Sequence, residues 1–483
     1  RERRLRARGG QLSEEQEAER LEGDFADGAS LDATILGLAL PSLVTLCAEP
    51  VLSIVDTGFV GRLPDPARAL GGLGVATTVF DFIFRCYNFL CVVTVPLVAQ
   101  AVVAQQRGDE GAMKPAQITG RIIGLAASLG ALTLALLLQF MPLALQLGGA
   151  EPGAPVEAAA AEYLFFRAWA LPASLVNTVA VGAFRGQLDT TTPLGVILFE
   201  TTVNAFLDAL LVFGFQPLGI PALGVGGAAL ATTVSVLLSC SAYCVLLDRR
   251  GLVDWGAVLT WPKALLELPE LAAGSVSQLT RTLALQAVLV QFTRAVVGLD
   301  AAGLAAAAHQ VAIRTWFFAL FALDSVAVAA QGLLPTSLAG GGREAARRVS
   351  LRCLLWGFGG GCITGAALAA GADVIPAVFT DSPEVQAAAR PLIVQLAYLQ
   401  PLAGLVFTWD GIFQGLSDYS YLAVAMAISA AVTLAGLQIP ELCGSLEGVW
   451  VCFSVFLLAR AAGLAWRFWG PAGGPLSSEE RVG

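Results

Sequence analysis

The sequence predicts an all-α polytopic membrane protein with twelve transmembrane helices in two pseudo-symmetric lobes of six helices. Three observations lead to this prediction. Hydrophobic residues make up 56% of the 483 residues and charged residues only 13%, whereas soluble domains carry about 25% charged residues. Apolar stretches of about twenty residues or more, enough to cross a bilayer of roughly 30 Å, recur along the whole chain. Motifs of the first half also return in the second. The composition and the apolar stretches argue against a water-soluble globular fold.

Twelve apolar spans can be placed on the sequence, separated by loops rich in Gly, Pro and charged residues. The second and eighth spans are longer than a bilayer requires, which predicts that they are tilted or extend beyond it. The first six spans cover residues 31–60, 70–105, 117–141, 157–184, 192–214 and 224–247, and the second six cover 264–297, 301–338, 349–371, 385–414, 420–439 and 447–469.

The spans divide the chain into two lobes. Residues 31–248 form the predicted N-lobe and residues 264–469 the predicted C-lobe, and the segment 249–263 joins them. The N-terminal arm, 1–30, mixes charges of both signs, and the tail, 470–483, is rich in small and polar residues. Both are expected to be disordered because they cannot bury enough apolar surface.

Basic residues fall unequally on the two sides of the predicted membrane. With the N-terminus inside, the inner segments hold nineteen and the outer segments three. This bias follows the positive-inside rule and places both termini on the cytosolic or stromal side. The inner set is Arg1, Arg3, Arg4, Arg6, Arg8, Arg20, Arg107, Lys114, Arg121, Arg185, Arg249, Arg250, Lys263, Arg343, Arg347, Arg348, Arg352, Arg467 and Arg481, and the outer set is Arg62, Arg68 and Arg390.

The two halves share motifs in the same order. "AFRGQLD" (183–189) ends the fourth span and "IFQGLSD" (412–418) ends the tenth, at an offset of 229 residues. "PLVAQAVVAQQRGD" (96–109) similarly parallels "VAVAAQGLLPTSLAGG" (326–341). The alternative is a chance likeness between stretches rich in Ala, Gly and Leu. Two repeats of six spans have the same orientation in the membrane, an arrangement typical of transporters whose site lies between the repeats.

The N-lobe contains polar residues where a membrane helix should be apolar. Asp56 ends the first span, although a carboxylate in the bilayer core costs roughly 2.5–3.5 kcal/mol. Asn204 and Asp208 are four apart in the fifth span and share one helix face, and Thr232 lies in the sixth. Two neighbouring carboxyl groups in a low dielectric cannot both be ionised at low cost. The set is therefore predicted to bind and release a proton or cation, with a polar cluster that only ties helices together as the alternative.

The C-lobe carries a second polar set, formed by Gln278, Arg281, Asp324 and Asp410. Arg281 could pair with Asp324 or Asp410 as a structural bridge, or these residues could line the substrate path. In the second span, Asp81 and Arg85 are predicted to pair with each other because they are four residues apart.

Metal and enzyme chemistry are not expected from this sequence. Its nine cysteines are scattered through apolar runs, and His309 is the only histidine. Neither shows the spacing of a zinc site or of a catalytic triad. No catalytic residue, metal or cofactor is predicted.

Four stretches together resemble the multidrug and toxic compound extrusion (MATE) transporters, in particular their DinF-like branch of plant and algal type. They are "EPVLSIVDTGFVGRL", "AFRGQLDTTTPL", "AAAHQVAIRTWFFALFALDSVAVAAQ" and "FTWDGIFQGLSDYSYLAVAM". The resemblance covers roughly residues 31–469. It implies a MATE-type fold, alternating access, and export of an organic solute in antiport with protons or with sodium.

The resemblance also implies roles for particular residues. In DinF-like members, an aspartate of helix one, an Asn-x3-Asp pair of helix five and a threonine of helix six form the ion-coupling site. These match Asp56, Asn204, Asp208 and Thr232. Other branches use a glutamate in helix seven, where this chain has Glu267 and Glu270 only near the start and Gln278 and Arg281 at the centre, so C-lobe coupling through a glutamate is not expected.

The expected substrate is a small organic solute: an organic anion such as a citrate-like or phenolic compound, or a xenobiotic. The chain is expected to be a monomer in the lipid bilayer of the plasma membrane or chloroplast envelope, with no nucleic-acid partner. Two alternatives are a lipid flippase-like carrier of the same two-lobe plan and an intramembrane aspartyl protease that uses Asp56 and Asp208. The sequence lacks the GxGD motif of such proteases.

Overall fold

The structure is a computed structural model that describes residues 28–109, 111–215, 217, 219–299, 303–470 and 476. Most of the predicted N-terminal arm and C-terminal tail therefore lies outside the described residues. Residues 28–30, which were assigned to the arm, belong to the first helix. The exact boundaries predicted for the two lobes and for the segment between them stay predictions.

Twelve membrane-spanning helices, α1–α12, make up most of the described chain. Short helices at Met141–Leu147, Trp255–Val258, Trp261–Glu267, Ile375–Phe379 and Pro440–Cys443 lie in the connections. The spans are α1 (Gly28–Val60), α2 (Pro66–Cys86 and Phe89–Gln106), α3 (Pro115–Gln139), α4 (Pro155–Ala168 and Leu171–Gly186), α5 (Thr191–Phe213), α6 (Gly224–Arg249), α7 (Pro269–Val297), α8 and α9 (the two parts of Leu304–Ala370), α10 (Pro383–Gly415), α11 (Tyr419–Gly436) and α12 (Leu446–Trp469).

Length and composition support these assignments. Within the described residues, nine helical segments are long and apolar enough to cross a membrane, and the two parts of α4 add a tenth span. The segment Leu304–Ala370 counts as one of the nine but is two helices, because the backbone breaks at Gly342 with φ of 73°. Glycine adopts this left-handed region at no steric cost. The more polar α7 completes the twelve.

Three spans differ in detail from their predicted form. The long second span is two helices interrupted at Tyr87 and Asn88, so its length reflects a break rather than a single tilted helix. The two parts of α4 meet at a bend of 53°. The predicted loop between the eighth and ninth spans is helical on both sides of Gly342. Periodicity alone did not locate the interruption of α2, because the residues on both sides of it are largely apolar, whereas the break at Gly342 falls inside the predicted loop.

The described contacts between the two lobes concentrate on the second half of α2 and the first half of α1. Gln331 of α8 donates a hydrogen bond to the Val92 carbonyl of α2 over 2.9 Å. Arg107, after α2, donates to the Gly340 carbonyl over 3.0 Å. Asp32 of α1 accepts hydrogen bonds from Arg352 and Trp356 of α9. The lobes therefore meet at the end that carries the basic inner segments.

Candidate functional site

The predicted N-lobe residues come together from three helices. On α5, the buried positions Val196, Asn204, Asp208 and Val212 recur at multiples of four, so one stripe of the helix faces the lobe interior. Asn204 and Asp208 are fully buried. Helix α1 brings Asp56 to this stripe with 6% exposure, and α6 brings Thr232 with 3%.

Thr232 links the other members of the cluster. The Asn204 side-chain amide donates to Thr232 Oγ1 over 3.2 Å. The Thr232 hydroxyl lies 3.5 Å from Asp56 Oδ2 and 3.0 Å from the Ala228 carbonyl of its own helix. A hydroxyl has one proton to donate. Thr232 can therefore give it to the backbone or to Asp56, but not to both at once.

The two carboxyl groups of Asp56 and Asp208 lie within direct interaction range of each other. Asp56 Oδ1, both Asp208 oxygens and Asn204 Oδ1 have no hydrogen-bond partner among the described residues. Two ionised carboxylates this close in a buried site would repel strongly. The arrangement is suited to holding one proton between the two acids, or to offering several oxygens to a small hard cation.

Two residues next to this cluster had no role in the sequence analysis. Tyr163 of α4 is 2% exposed and lies beside Thr232 and both carboxyl groups. Arg167, one turn further along α4, lies close enough for its charge to act on Asp56 and stacks over the Phe80 ring at 4.1 Å. The sequence does contain a signal for Arg167, because it is an arginine inside an apolar span. A charge in the bilayer core is so unfavourable that such a residue is expected to have a function.

The C-lobe residues also come together, around Asp410. Asp410 Oδ2 accepts a hydrogen bond from Arg281 over 2.6 Å and a second from Arg460 of α12. Arg281 also lies 3.5 Å from Gln278 Oε1, and Asp324 lies within electrostatic range of Asp410 and both arginines. Of the two partners predicted for Arg281, the structure pairs it with Asp410. Arg460, which the sequence analysis left without a role, is the second partner of Asp410.

A third group of charges surrounds Asp81 of α2. The prediction that Asp81 pairs with Arg85 is wrong, because no ion pair joins them among the described residues. Both side chains are exposed, where such a pair gains little. The charges of Arg85, Arg167 and Arg314, from α2, α4 and α8, all act on Asp81. Basic residues from both lobes therefore approach one another beside the N-lobe cluster.

The described residues include no group of three or more His, Cys, Asp or Glu side chains placed to hold a metal ion. The polar clusters of the two lobes are built from carboxyl, amide, hydroxyl and guanidinium groups.

Comparisons with known proteins agree with this architecture. The MatE family model matches residues 41–210 and 282–438. The chain belongs to the MATE family of membrane transporters. It is 30% identical to Protein DETOXIFICATION 44, chloroplastic, from Arabidopsis thaliana over 453 residues, which cover 90% of this chain and 81% of that protein. It is 28% identical to the DNA damage-inducible protein F of Escherichia coli strain K12, covering 91% and 92% of the two chains.

Solved MATE structures share the fold. The crystal structure of a single-residue mutant of the Vibrio cholerae MATE transporter VcmN superposes with a TM-score of 0.79 at 18% identity, covering 91% of this chain and 97% of that one. A MATE structure in the bent conformation gives a TM-score of 0.78 at 17% identity, with coverage of 95% and 97%. The MATE-type fold predicted from the sequence is confirmed.

Family membership decides the broad function. The protein is a multi-pass membrane transporter of the multidrug and toxic compound efflux type, and it is not an enzyme. The alternative of an intramembrane aspartyl protease is wrong. The resemblance to the plant-type and DinF-like members is confirmed by the relatives named above.

Proposed function

We propose that this transporter exports an organic solute by alternating access in antiport with protons, or with sodium. The observation that carries the proposal is the buried pair of Asp56 and Asp208, held beside Asn204 and Thr232. A proton-coupled transporter needs a group whose charge changes during the cycle, and two adjacent buried carboxyl groups supply one. The carboxyl oxygens without a hydrogen-bond partner are also suitable ligands for sodium, so both ions are tested below.

The contacts between the lobes support alternating access. They are concentrated at one end of the bundle, where the second half of α2 meets α8 through Gln331 and Arg107 meets Gly340. A cycle that exchanges these contacts for contacts at the opposite end would expose the space between the lobes to each side in turn.

The charges around Asp81 support an anionic substrate. Arg85, Arg167 and Arg314 outnumber that one acid, and none of the three forms an ion pair among the described residues. An arginine binds a carboxylate in a bidentate geometry. The substrate class that fits this group is an organic anion with a carboxylate, such as a citrate-like or phenolic acid.

We also propose that the C-lobe residues Gln278, Arg281, Asp324 and Asp410 shape the far wall of the substrate path. The bridge around Asp410 would fix the positions of these side chains, while Asp324 remains free to respond to a bound solute. Both termini are proposed to face the cytosol or stroma. The plasma membrane and the chloroplast envelope are the candidate locations, and two relatives named as chloroplastic support the envelope.

Transport in proteoliposomes tests the proposal. Purified protein is given radiolabelled organic anions, organic cations and a fluorescent lipid, with an imposed pH gradient, an imposed sodium gradient or neither. We expect anion uptake that depends on one of the two gradients. In Asp56→Asn, which mimics a protonated acid, this dependence should disappear while substrate binding to the purified protein persists.

Asp65→Asn is a matched control, because Asp65 is an exposed residue at the beginning of α2 rather than a member of the cluster. It should keep the wild-type gradient dependence. Wild-type coupling in Asp56→Asn would overturn the proposed coupling site. Movement of lipid without movement of anions would instead favour a flippase.

A further inference from the structure

The buried stripe of α5 contains one more acid. Glu200 is four residues before Asn204 and eight before Asp208, so its side chain lies on the same face of the helix. It is partly buried, and its neighbours Val196 and Asn204 on the stripe are buried. A carboxyl group inside a membrane helix is expected to have a function, and the coupling cluster described above does not use this one.

Helix α6 presents a matching polar stripe to α5. Thr232, Ser235, Ser239 and Tyr243 are all buried and recur at three- or four-residue spacing. The two helices run in opposite directions and meet at several levels. Thr232 contacts Asn204, and Tyr243 lies 3.5 Å from the Pro193 carbonyl near the start of α5. Between these two levels, Ser239 lies close enough to Glu200 to act on its charge, while its hydroxyl donates to the Val236 carbonyl of its own helix over 3.0 Å.

Glu200 therefore has a polar setting of its own. The Asn177 amide of α4 donates to Ser239 Oγ over 2.8 Å, and the Asn177 oxygen is buried without a partner among the described residues. The other groups that face Glu200 are the Arg167 guanidinium from α4 and, from α6, Cys240 and the Tyr243 ring. One cation and several uncharged polar groups can accommodate either protonation state of Glu200.

We propose that Glu200 is a second proton-binding residue of the N-lobe, which relays protons between the Asp56–Asp208 pair and the inner end of the lobe. The inference rests on the proposed proton coupling and extends it. Eight residues of helix separate Asp208 from Glu200, a rise of about 12 Å. The proton must therefore pass over intermediate groups, and the hydroxyls of Thr232, Ser235 and Ser239 can each accept one hydrogen bond and donate another.

The transfer is balanced as a simple proton exchange. The O–H bond of the neutral carboxyl group of Asp56 or Asp208 breaks, and an O–H bond forms on the Glu200 carboxylate. At each intermediate hydroxyl one O–H bond forms as another breaks, so the hydroxyls are unchanged overall, and no oxidant or further reactant is needed. Glu200 then releases the proton towards the inner end, where Tyr243 and the start of α5 lie.

The decisive variant is Glu200→Gln, which keeps the shape and hydrogen bonding of the side chain but cannot bind a proton. Proton-driven solute transport in proteoliposomes should fall by at least about tenfold, because loss of a proton-transfer group commonly costs roughly 10²–10⁴-fold. Exchange of labelled for unlabelled solute at equal pH should stay at the wild-type rate, since it needs no net proton movement. Glu162→Gln, an exposed acid on α4, is the matched control and should leave both rates unchanged.

A chemical rescue separates a relay from a structural role. In Glu200→Ala, small weak acids such as formate should restore part of the proton-driven rate, while a packing defect would not respond to them. If Glu200→Gln does not fold, Ser239→Ala removes the hydroxyl beside Glu200 and should slow the same step.

The outcomes distinguish this proposal from the proposed function. Loss of coupling in Asp56→Asn together with a wild-type proton-driven rate in Glu200→Gln, or in Ser239→Ala if that variant replaces it, would overturn the relay alone. Retained proton coupling in Asp56→Asn would overturn the coupling site itself. Transport driven by sodium and indifferent to pH would contradict the relay and leave antiport standing.

Discussion

Leu188 and Ser417, which are 229 residues apart, have the same left-handed backbone conformation, each with φ of 59°. They are the non-glycine residues with positive φ in the described part of the chain. Leu188 follows α4 and Ser417 follows α10, and the next residue in each case, Asp189 or Asp418, pairs with an arginine at the end of the same lobe. The offset equals that of the sequence motifs. The two halves therefore repeat backbone conformation as well as helices.

Substitution at Ser417 should show the cost of this conformation. A left-handed conformation costs an L-residue roughly 1–2 kcal/mol, and β-branching adds crowding. Ser417 already bears this cost, so Ser417→Gly should raise the unfolding free energy by up to about this amount, because glycine adopts positive φ freely, whereas Ser417→Val should lower it through the added crowding. The measurement is thermal or denaturant unfolding in detergent. Equal stability of the two variants would mean that the turn relaxes without cost.

The salt bridge of Asp189 should contribute stability that disappears in acid. Burial disfavours the charge of Asp189, but hydrogen bonds from Thr192, Arg250 and Thr191 outweigh burial and lower its pKa to about 2. A depressed pKa in the folded state means that the stabilisation is complete above about pH 4, the unfolded value, and is lost as the pH falls towards 2.

Asp189→Asn should therefore cost about 1–2 kcal/mol at neutral pH, an upper limit because Arg250 is half exposed. The difference from wild type should shrink below pH 4. Unfolding measured between pH 3 and 7 checks this, with the exposed Asp381→Asn as control. A difference that stayed constant over this range would assign the loss to something other than the charge.

In the bridge around Asp410, loss of the acid should destabilise the protein more than loss of one arginine. Asp410→Asn leaves the buried Arg460 and the partly buried Arg281 side by side without their acceptor charge, which should cost about 3–5 kcal/mol. Arg281→Met leaves the pair of Asp410 and Arg460 intact and should cost less. Yields and melting temperatures of the two variants give the order. If Arg281→Met proved the more destabilising, Arg281 rather than Asp410 would be the centre of the cluster.

Much of the N-lobe cluster could be predicted from sequence, but only part of the C-lobe bridge, in which Asp410 was one of two partners predicted for Arg281. Asp56, Asn204 and Asp208 are polar residues in apolar spans, and the four-residue spacing of the last two fixes a common face. Glu200 extends that spacing by one turn, so the same rule could have identified it. The pair of Asp410 and Arg460 depends instead on how α10 packs against α12, and no local pattern specifies that packing. The break in α4 has a local cause, because its second part begins with Leu171 and Pro172, and proline cannot continue the hydrogen bonding of the preceding helix.

The hydrogen bond from Gln331 to Val92 should hold the lobes together at one end. Gln331→Leu removes it, and a hydrogen bond contributes about 1 kcal/mol net, which is roughly a fivefold change in population. Spin labels at Ala112 and at the exposed Glu344 of α9 should then show a larger share of long distances between the lobes. Gln395→Leu is a matched control, because Gln395 makes the same kind of bond to the Trp450 carbonyl within the C-lobe. If both variants gave the same distance distribution, the hydrogen bond from Gln331 to Val92 would not be what holds the two lobes together at this end.

The close crossing of α9 and α10 should depend on Gly361 and not on its neighbour Gly359. A Cβ atom at Gly361 would clash with the Gln400 carbonyl oxygen, whereas one at Gly359 would meet nothing within 4 Å. The clash at Gly361 is with backbone, which cannot rotate away as a side chain can, and small residues at such crossings allow helices to approach closely. Gly361→Val should therefore cost at least about 3 kcal/mol, the upper range for overpacking, and give little folded protein. Gly359→Val introduces the same residue two positions away and should fold normally. Size-exclusion profiles and melting temperatures in detergent measure both variants, and a well-folded Gly361→Val protein would show that the two helices can separate without loss of the lobe.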